Sequence, residues 1–308
     1  MTLNQALSLK PGEQVQATAG TAGHAGSGAT SVRRDQVSLF DAAIDCLDAS
    51  LPDEKVALTQ RYAQDFLRGE LQVPHDAPPP RPVRMPGRPE QPKLVPAREL
   101  PQRGIGSTEG RAAFVHAIAH IELNAIDLAW DAVYRFRGMP AQFYVDWVSV
   151  ANDESRHFIL LRDRLRTLGF EYGDFDAHNG LWEMAEKTAH DGLARMALVP
   201  RVLEARGLDV TPGMIAKLRN LGDAESVAIL ELILGEEVAH VAAGSHWYRW
   251  YCTRAGVEPR ARFRELLAQY AGPTLRGPFN HQARLLAGFD QEEIDALEQL
   301  SGASPMSA

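Results

Sequence analysis

Two stretches of the chain place a glutamate one helical turn before a histidine: Glu154 and His157 in "ANDESRHFILLRDRL", and Glu237 and His240 in "GEEVAH". With 21 glutamates and ten histidines in 308 residues, chance supplies somewhat less than one such pair. Residues three, four and seven apart share a helix face. Around Glu154 that face carries Trp147, Val150, Ala151, Phe158 and Leu161, and around Glu237 it carries Leu230, Ile233, Leu234 and Val241. An ionised carboxylate on such a face is costly to bury without a partner or a metal. Two further glutamates complete a pattern. Glu122 sits among Val115, Ile118, Ala119 and Ile126, and Glu204 sits on a less regular stripe with Ala197, Pro200, Arg201 and Leu208. The spacings match, since 154 − 122 is 32 residues and 237 − 204 is 33. Two helix hairpins would each set one Glu opposite one Glu-x-x-His. Four carboxylates and two imidazoles make the ligand set of a di-iron or di-manganese carboxylate site. The plainer alternative is a set of surface ion pairs or hydrogen-bonded core histidines. Glu236, four residues before His240, competes with Glu237 as a ligand. His116 and His120, with Asp127, lie on a face turned away from Glu122 and read as structural or outlying groups.

Positioning these side chains requires helices. Residues 38–71 show helical periodicity in two short segments, the second opening at Pro52. Ser107 or Thr108 caps a helix that runs to about Phe136. Pro140 opens a second, ending near Gly169. A third is expected from about Leu181 to Arg206, with Gly207 as its stop, and a fourth from Thr211–Pro212 to about Arg254. Pro200 should kink or unwind the third helix one turn before Glu204, opening a passage walled by Leu193 and Met196 or merely curving the helix. The expected fold is all-α: a four-helix bundle over 107–255, preceded by N-terminal helices and a proline-rich strap (36–106) and followed by a helical extension (256–308). Residues 1–35, rich in Gly, Ala, Ser and Thr, are expected to form a disordered tail. From Pro74 to Pro101 the chain holds ten of its nineteen prolines, which excludes helix and sheet ladders there and suggests an extended strap or a linker.

Composition narrows the class. A net charge of −8 argues against a nucleic-acid surface, which needs local Lys and Arg excess. The two cysteines, Cys46 and Cys252, form no CxxC, so neither a rubredoxin-type centre nor a disulfide framework is indicated. No apolar run has the length and purity of a membrane span, and the N-terminus lacks the apolar core of a secretory signal. A cytoplasmic protein is the expectation, and a homodimer is left open.

The six residues carry a resemblance. Together with "GRPEQPKLVPARELPQRGIGSTEGRAAFVHAIAHIELNAIDLAWDAVYRF", "ARMALVPRVLEARGLDVTP" and "GPFNHQARLLAGF", they resemble the bacterial ferritin-like family called domain of unknown function 455, within the ferritin-like di-iron superfamily. The chain is more distantly similar to the bacterial tRNA hydroxylase, so a tRNA substrate stays open despite the charge. The resemblance implies the ferritin-like bundle and the metal ligands Glu122, Glu154, His157, Glu204, Glu237 and His240. It implies two iron ions, with manganese or a mixed pair as alternatives, and supplies no substrate. The function expected is an oxygen-activating, hydroxylase-like di-iron oxidoreductase. Its partners are O2, an unidentified substrate and an unidentified electron donor. The rivals are a metal-handling or peroxide-scavenging protein and a non-enzymatic helical scaffold. A radical-generating reductase subunit would carry a tyrosine where this chain has Leu161.

Overall fold

The computed structural model describes residues 37–271 and 275–302. The expected tail over 1–35 and residues 272–274 lie outside the described residues. Among the described residues the protein is all-helical, with one isolated parallel bridge, Leu94 to Ala177, and no strand.

Two short N-terminal helices come first: α1 (Leu39–Asp48) and α2 (Pro52–Leu67). Ser38 caps α1 in a reciprocal capping box with Asp41, and Pro52 fills the first turn of α2, where its missing N–H costs nothing. Their junction is closed by a buried cation. Lys55 Nζ donates to the Cys46 carbonyl at 2.7 Å, at the end of α1, and pairs with Asp127 of the next long helix at 2.5 Å. Both charges are removed from water, so each depends on the other.

The next two helices are long, α3 (Thr108–Arg135, capped by Ser107) and α4 (Ala141–Thr167), and they pack along one another. By length and composition α3 could cross a membrane, but 72% of its most apolar window is buried within this protein. It is a core helix.

The second half departs from the expected boundaries. In place of one helix from Leu181 to Arg206 there are α5 (Gly180–Lys187) and α6 (Gly192–Leu198), then a π-helical segment, Val199–Glu204, continuing directly into α7 (Ala205–Asn220). Gly207 and Thr211–Pro212 therefore lie inside a helix and mark neither an end nor a beginning. Pro212 cannot bond the Leu208 carbonyl four residues back, and that carbonyl instead accepts from Asn280 Nδ2 at 3.1 Å. The break falls at Gly222, with φ +74, and Asp223 then caps α8 (Ala224–Ala255) through the Ser226 amide. Pro200 does unwind its helix, as expected. The widened turn is packed, though: Pro200 lies against Gly244, where an added Cβ would stand 2.3 Å from the proline ring. Met196 is buried beside it.

α8 packs against α4, α6 and α7. After Gly256 come α9 (Pro259–Leu266) with a short π-turn, then α10 (His281–Leu286) and α11 (Gln291–Ser301), which make up the expected helical extension. They clamp the irregular segment. Arg201 is fully buried against Tyr248, Phe263 and Phe289 and pairs with Glu293 of α11 at 2.7 Å. Arg284 of α10 forks onto Asp209 of α7 at 2.7 and 2.9 Å.

The proline-rich stretch lies across this framework. Trp182 Nε1 donates to the Arg84 carbonyl at 2.7 Å, the Arg81 amide donates to Tyr134 Oη at 3.0 Å, and Arg88 reaches Asn124 of α3 at 2.5 Å. Gly87 passes so close to the end of α1 that a Cβ would meet the Asp48 carbonyl at 2.2 Å. In native protein, trypsin should therefore leave the Arg84–Met85 bond intact until global unfolding, because the Arg84 carbonyl is held by Trp182; rapid cleavage there would mean that the strap is a free linker. A second expectation concerns the clamp. Glu293→Gln keeps an acceptor for the Asp290 amide but leaves Arg201 a buried, unpaired cation, and urea titration should show a loss of about 3 kcal/mol or more.

Candidate metal centre

Six sequence-selected side chains arrive from four helical stretches: Glu122 from α3, Glu154 and His157 from α4, Glu204 from the end of the π segment, and Glu237 and His240 from α8. Ligand-type atoms of Glu122, Glu154, His157 and Glu237 all lie within 4.8 Å of one another. His157 Nδ1 is 3.3 Å from Glu122 Oε2 and 3.2 Å from Glu154 Oε2. His240 joins through its own Nδ1, at 3.1 Å from Glu154 Oε1 and 3.2 Å from Glu237 Oε1. Glu204 touches none of them by hydrogen bond. Its Oε2 is buried with no partner, within electrostatic reach of Glu154, Glu237 and His240.

The periodicity around Glu204 is uneven for a local reason. A π turn holds one residue more than an α turn and rotates the next residues about the helix axis. Glu204 is the last residue of that turn. A regular α-helix through Pro200 would aim it elsewhere.

The outer faces of both imidazoles are tied as well. His157 Nε2 lies 2.7 Å from Glu236 Oε2, and His240 Nε2 lies 3.4 Å from Asp153 Oδ2. Arg156 holds both outer acids, at 2.7 Å from Asp153 and 3.0 Å from Glu236. Of the two competing acids, Glu237 lies within the cluster and Glu236 contacts a histidine from outside it. Sequence reasoning missed Asp153 and Arg156. A signal was present, because each Glu-x-x-His is preceded immediately by an acid, Asp153 or Glu236. Each of those acids serves the histidine of the other motif. An outer carboxylate favours the Nε2–H tautomer, which leaves the Nδ1 lone pair facing inward.

His116, His120 and Asp127 have structural roles. His120 bonds Tyr172 Oη at 2.8 Å, and His116 Nε2 accepts the Gly173 amide at 3.0 Å, so the pair anchors the loop after α4. Burial pushes them down to about 3 and about 4, keeping both neutral. Asp127 belongs to Lys55. Arg195 pairs with Asp131 at 2.5 Å, and Arg206 bonds backbone carbonyls at Gly277 and Pro278.

Electrostatics show what such a cluster requires. Burial, then the charge of Glu154, pushes Glu122 well up. Burial acts the same way on Glu154, but the hydrogen bond with Glu122 and the charge of His240 outweigh it and hold Glu154 low. Burial and the charges of Glu154 and Glu237 bring Glu204 up to about 8. Burial opposes charge on His157, yet hydrogen bonds to Glu122 and Glu154 push it up to about 11. His240 rises for the same kind of reason, beside Glu237 and Glu154. Without cations, the acids are neutralised by protons. A buried Glu/His cluster of this type could bind a metal ion, and metal would have to displace those protons.

The family is shown by comparison with known proteins. A family model described as "Protein of unknown function (DUF455)" matches residues 48–295. The chain belongs to that family. A Haemophilus influenzae protein described as "Uncharacterized protein" is 49% identical over 215 residues, covering 67% of this chain and 74% of the relative. No solved structure matches.

Proton displacement sets the sign of a pH effect. Glu122, Glu204, His157 and His240 all hold protons more tightly than free side chains do, so binding of manganese(II) should release protons and strengthen as pH rises. Each proton released makes apparent affinity about tenfold weaker per unit fall in pH. Calorimetry in buffers of different ionisation enthalpy measures this directly. Glu154→Ala should abolish both the binding and the accompanying rise in melting temperature. Affinity that stays flat between about pH 5.5 and 8 would count against the site.

Proposed function

We propose that the chain is a ferritin-like di-iron carboxylate oxidoreductase, oxygen-activating and hydroxylase-like. The observation that carries this is the convergence of four carboxylates and two Nδ1-facing imidazoles inside an apolar helical interior. The donor set fits a metal pair in two ways. Four ionised carboxylates carry a charge of −4, which two divalent ions neutralise. The orphaned Glu204 Oε2 supplies a buried acceptor that nothing in the chain satisfies. In this reading α3, α4, the run from α6 through α7, and α8 form the four-helix bundle. Hard oxygen and imidazole donors suit iron and manganese alike.

When bound, two ferrous ions supply the electrons that reduce O2 for oxidation of a substrate. The chain's own residues do the rest. Glu122 and Glu237 hold the cluster from opposite helices, and Glu154 lies between the two histidines. Glu236 and Asp153 fix the imidazole tautomers, and Arg156 holds those two acids in place. Ile126, Ala151, Phe158 and Val241 are buried around the cluster and keep bulk water away. The protein would work in the cytoplasm with an external electron donor, because no cysteine pair is available for an internal rubredoxin centre.

Stopped-flow mixing of the diferrous protein with O2 tests the proposal. Consumption should stop at roughly one O2 per metal pair until a reductant is supplied. Oxidation of many ferrous ions per chain with mineral formation would instead establish a storage role. Metal analysis of protein from its native host separates iron from manganese.

A further inference from the structure

A second site lies at the other end of α4. A cavity of about 560 Å³ opens between α1, the end of α2, the start of the strap and the α3–α4 turn. Its wall includes Phe40, Phe66, Leu71, Met139, Tyr144 and Val145. Its volume is in the usual range for a small-molecule site. Tyr144 precedes Glu154 by ten residues on one helix, a rise of about 15 Å, so this cavity is separate from the candidate metal centre.

One arginine belongs to this wall, which His75 also lines. Arg137 lines the cavity, and its Nε and Nη1 are buried with no hydrogen-bond partner. Arg137 is half-buried, whereas the deeply buried cations described above each have an acid: Lys55 has Asp127, Arg195 has Asp131, Arg201 has Glu293 and Arg284 has Asp209. Arg137 has aromatic faces instead. Its Cζ lies 3.5 Å from the Phe40 ring centroid and 4.7 Å from that of Tyr134. Ring contact offsets part of the cost of taking a guanidinium from water, and it leaves those two N–H groups unused. Burial disfavours its charge, and Asp41, the acid that acts on it, is already engaged by Ser38 in the α1 capping box.

We propose that this cavity binds a small organic monocarboxylate with an apolar body, its carboxylate on the Arg137 guanidinium and its body against Phe66, Leu71, Met139 and Val145. A planar guanidinium that no acid of the chain pairs suits a carboxylate. A single guanidinium near Asp41 matches a monoanion better than a phosphate, which brings a second charge. The apolar wall has little to offer a small inorganic anion.

The test is calorimetric titration of the full chain with octanoate and with its neutral counterpart octanamide. Octanoate should bind at least tenfold more tightly than octanamide. Arg137→Gln should lose at least tenfold in octanoate affinity and leave octanamide nearly unchanged, and Arg137→Lys should fall between. Manganese binding by the same variants, at a site about 15 Å away, reports that they are folded. Equal affinities of wild type for octanoate and octanamide, no octanoate binding at millimolar concentration, or full octanoate affinity in Arg137→Gln would each overturn the proposal. Should Arg137→Gln fail to fold, the octanoate-to-octanamide ratio on wild type decides alone.

Discussion

Charge neutrality in a dry interior is the constraint on which the rest of the structure depends. Glu122, Glu154 and His157 are almost wholly buried, and Glu204 and Glu237 present carboxylate oxygens to the same space. Like charges at such separations cannot all persist in a low-dielectric medium. Something must supply positive charge, and the only suppliers within reach are protons and cations. Protons suffice to let the chain fold, at the expense of carboxyl groups held in the wrong ionisation state. Two divalent cations would satisfy the same groups without that strain. A cluster of this kind could take up a metal ion only by giving up those protons.

Rigid surroundings keep that exchange local. The outer acids Asp153 and Glu236 aim the imidazoles, and Arg156 binds both acids from one guanidinium, so the two Glu-x-x-His motifs are cross-linked on their outer side. On the opposite flank the irregular segment around Pro200 would be the weakest part of the framework, because a π turn has poorer backbone bonding than an α turn. Three devices offset this. The Pro200 ring fills the space left by Gly244, Arg201 is locked to α11, and Asn280 takes the carbonyl that Pro212 abandons. The C-terminal helices therefore belong to the architecture of the site, although no residue of theirs faces it. Buried ion pairs of this sort contribute less to net stability than to uniqueness, since any alternative packing strands a charge.

Where the chain was legible, local chemistry and global packing agreed. Ser38, Pro52, Ser107 and Pro140 each sit at a helix entrance, because a cap or a first-turn proline acts on the backbone within a few residues and needs no distant partner. Glycine and proline in the second half misled for the converse reason. Gly207 and Pro212 weaken a helix in isolation, yet α7 runs through both, sustained by Asn280 from about seventy residues further on. Gly222 marks the actual end, because its left-handed φ is used there and Asp223 stands ready as the next cap.

By itself the sequence determined the helical class, the entrances of the first four helices, and the Glu and His side chains of the buried cluster that could bind a metal ion. It could do so because helical periodicity places residues three and four apart on one face whatever the rest of the protein does. It also carried, unread, the acid before each Glu-x-x-His. Only the tertiary structure decided which acid serves which histidine, since Asp153 reaches His240 and Glu236 reaches His157 across the interface between α4 and α8. Only it decided that Glu204 is aimed by a π turn, that His116 and His120 anchor a loop, and that Arg137 is left without an acid. Each of these depends on which groups meet across helices, and periodicity within one helix holds no information about the partner it will face.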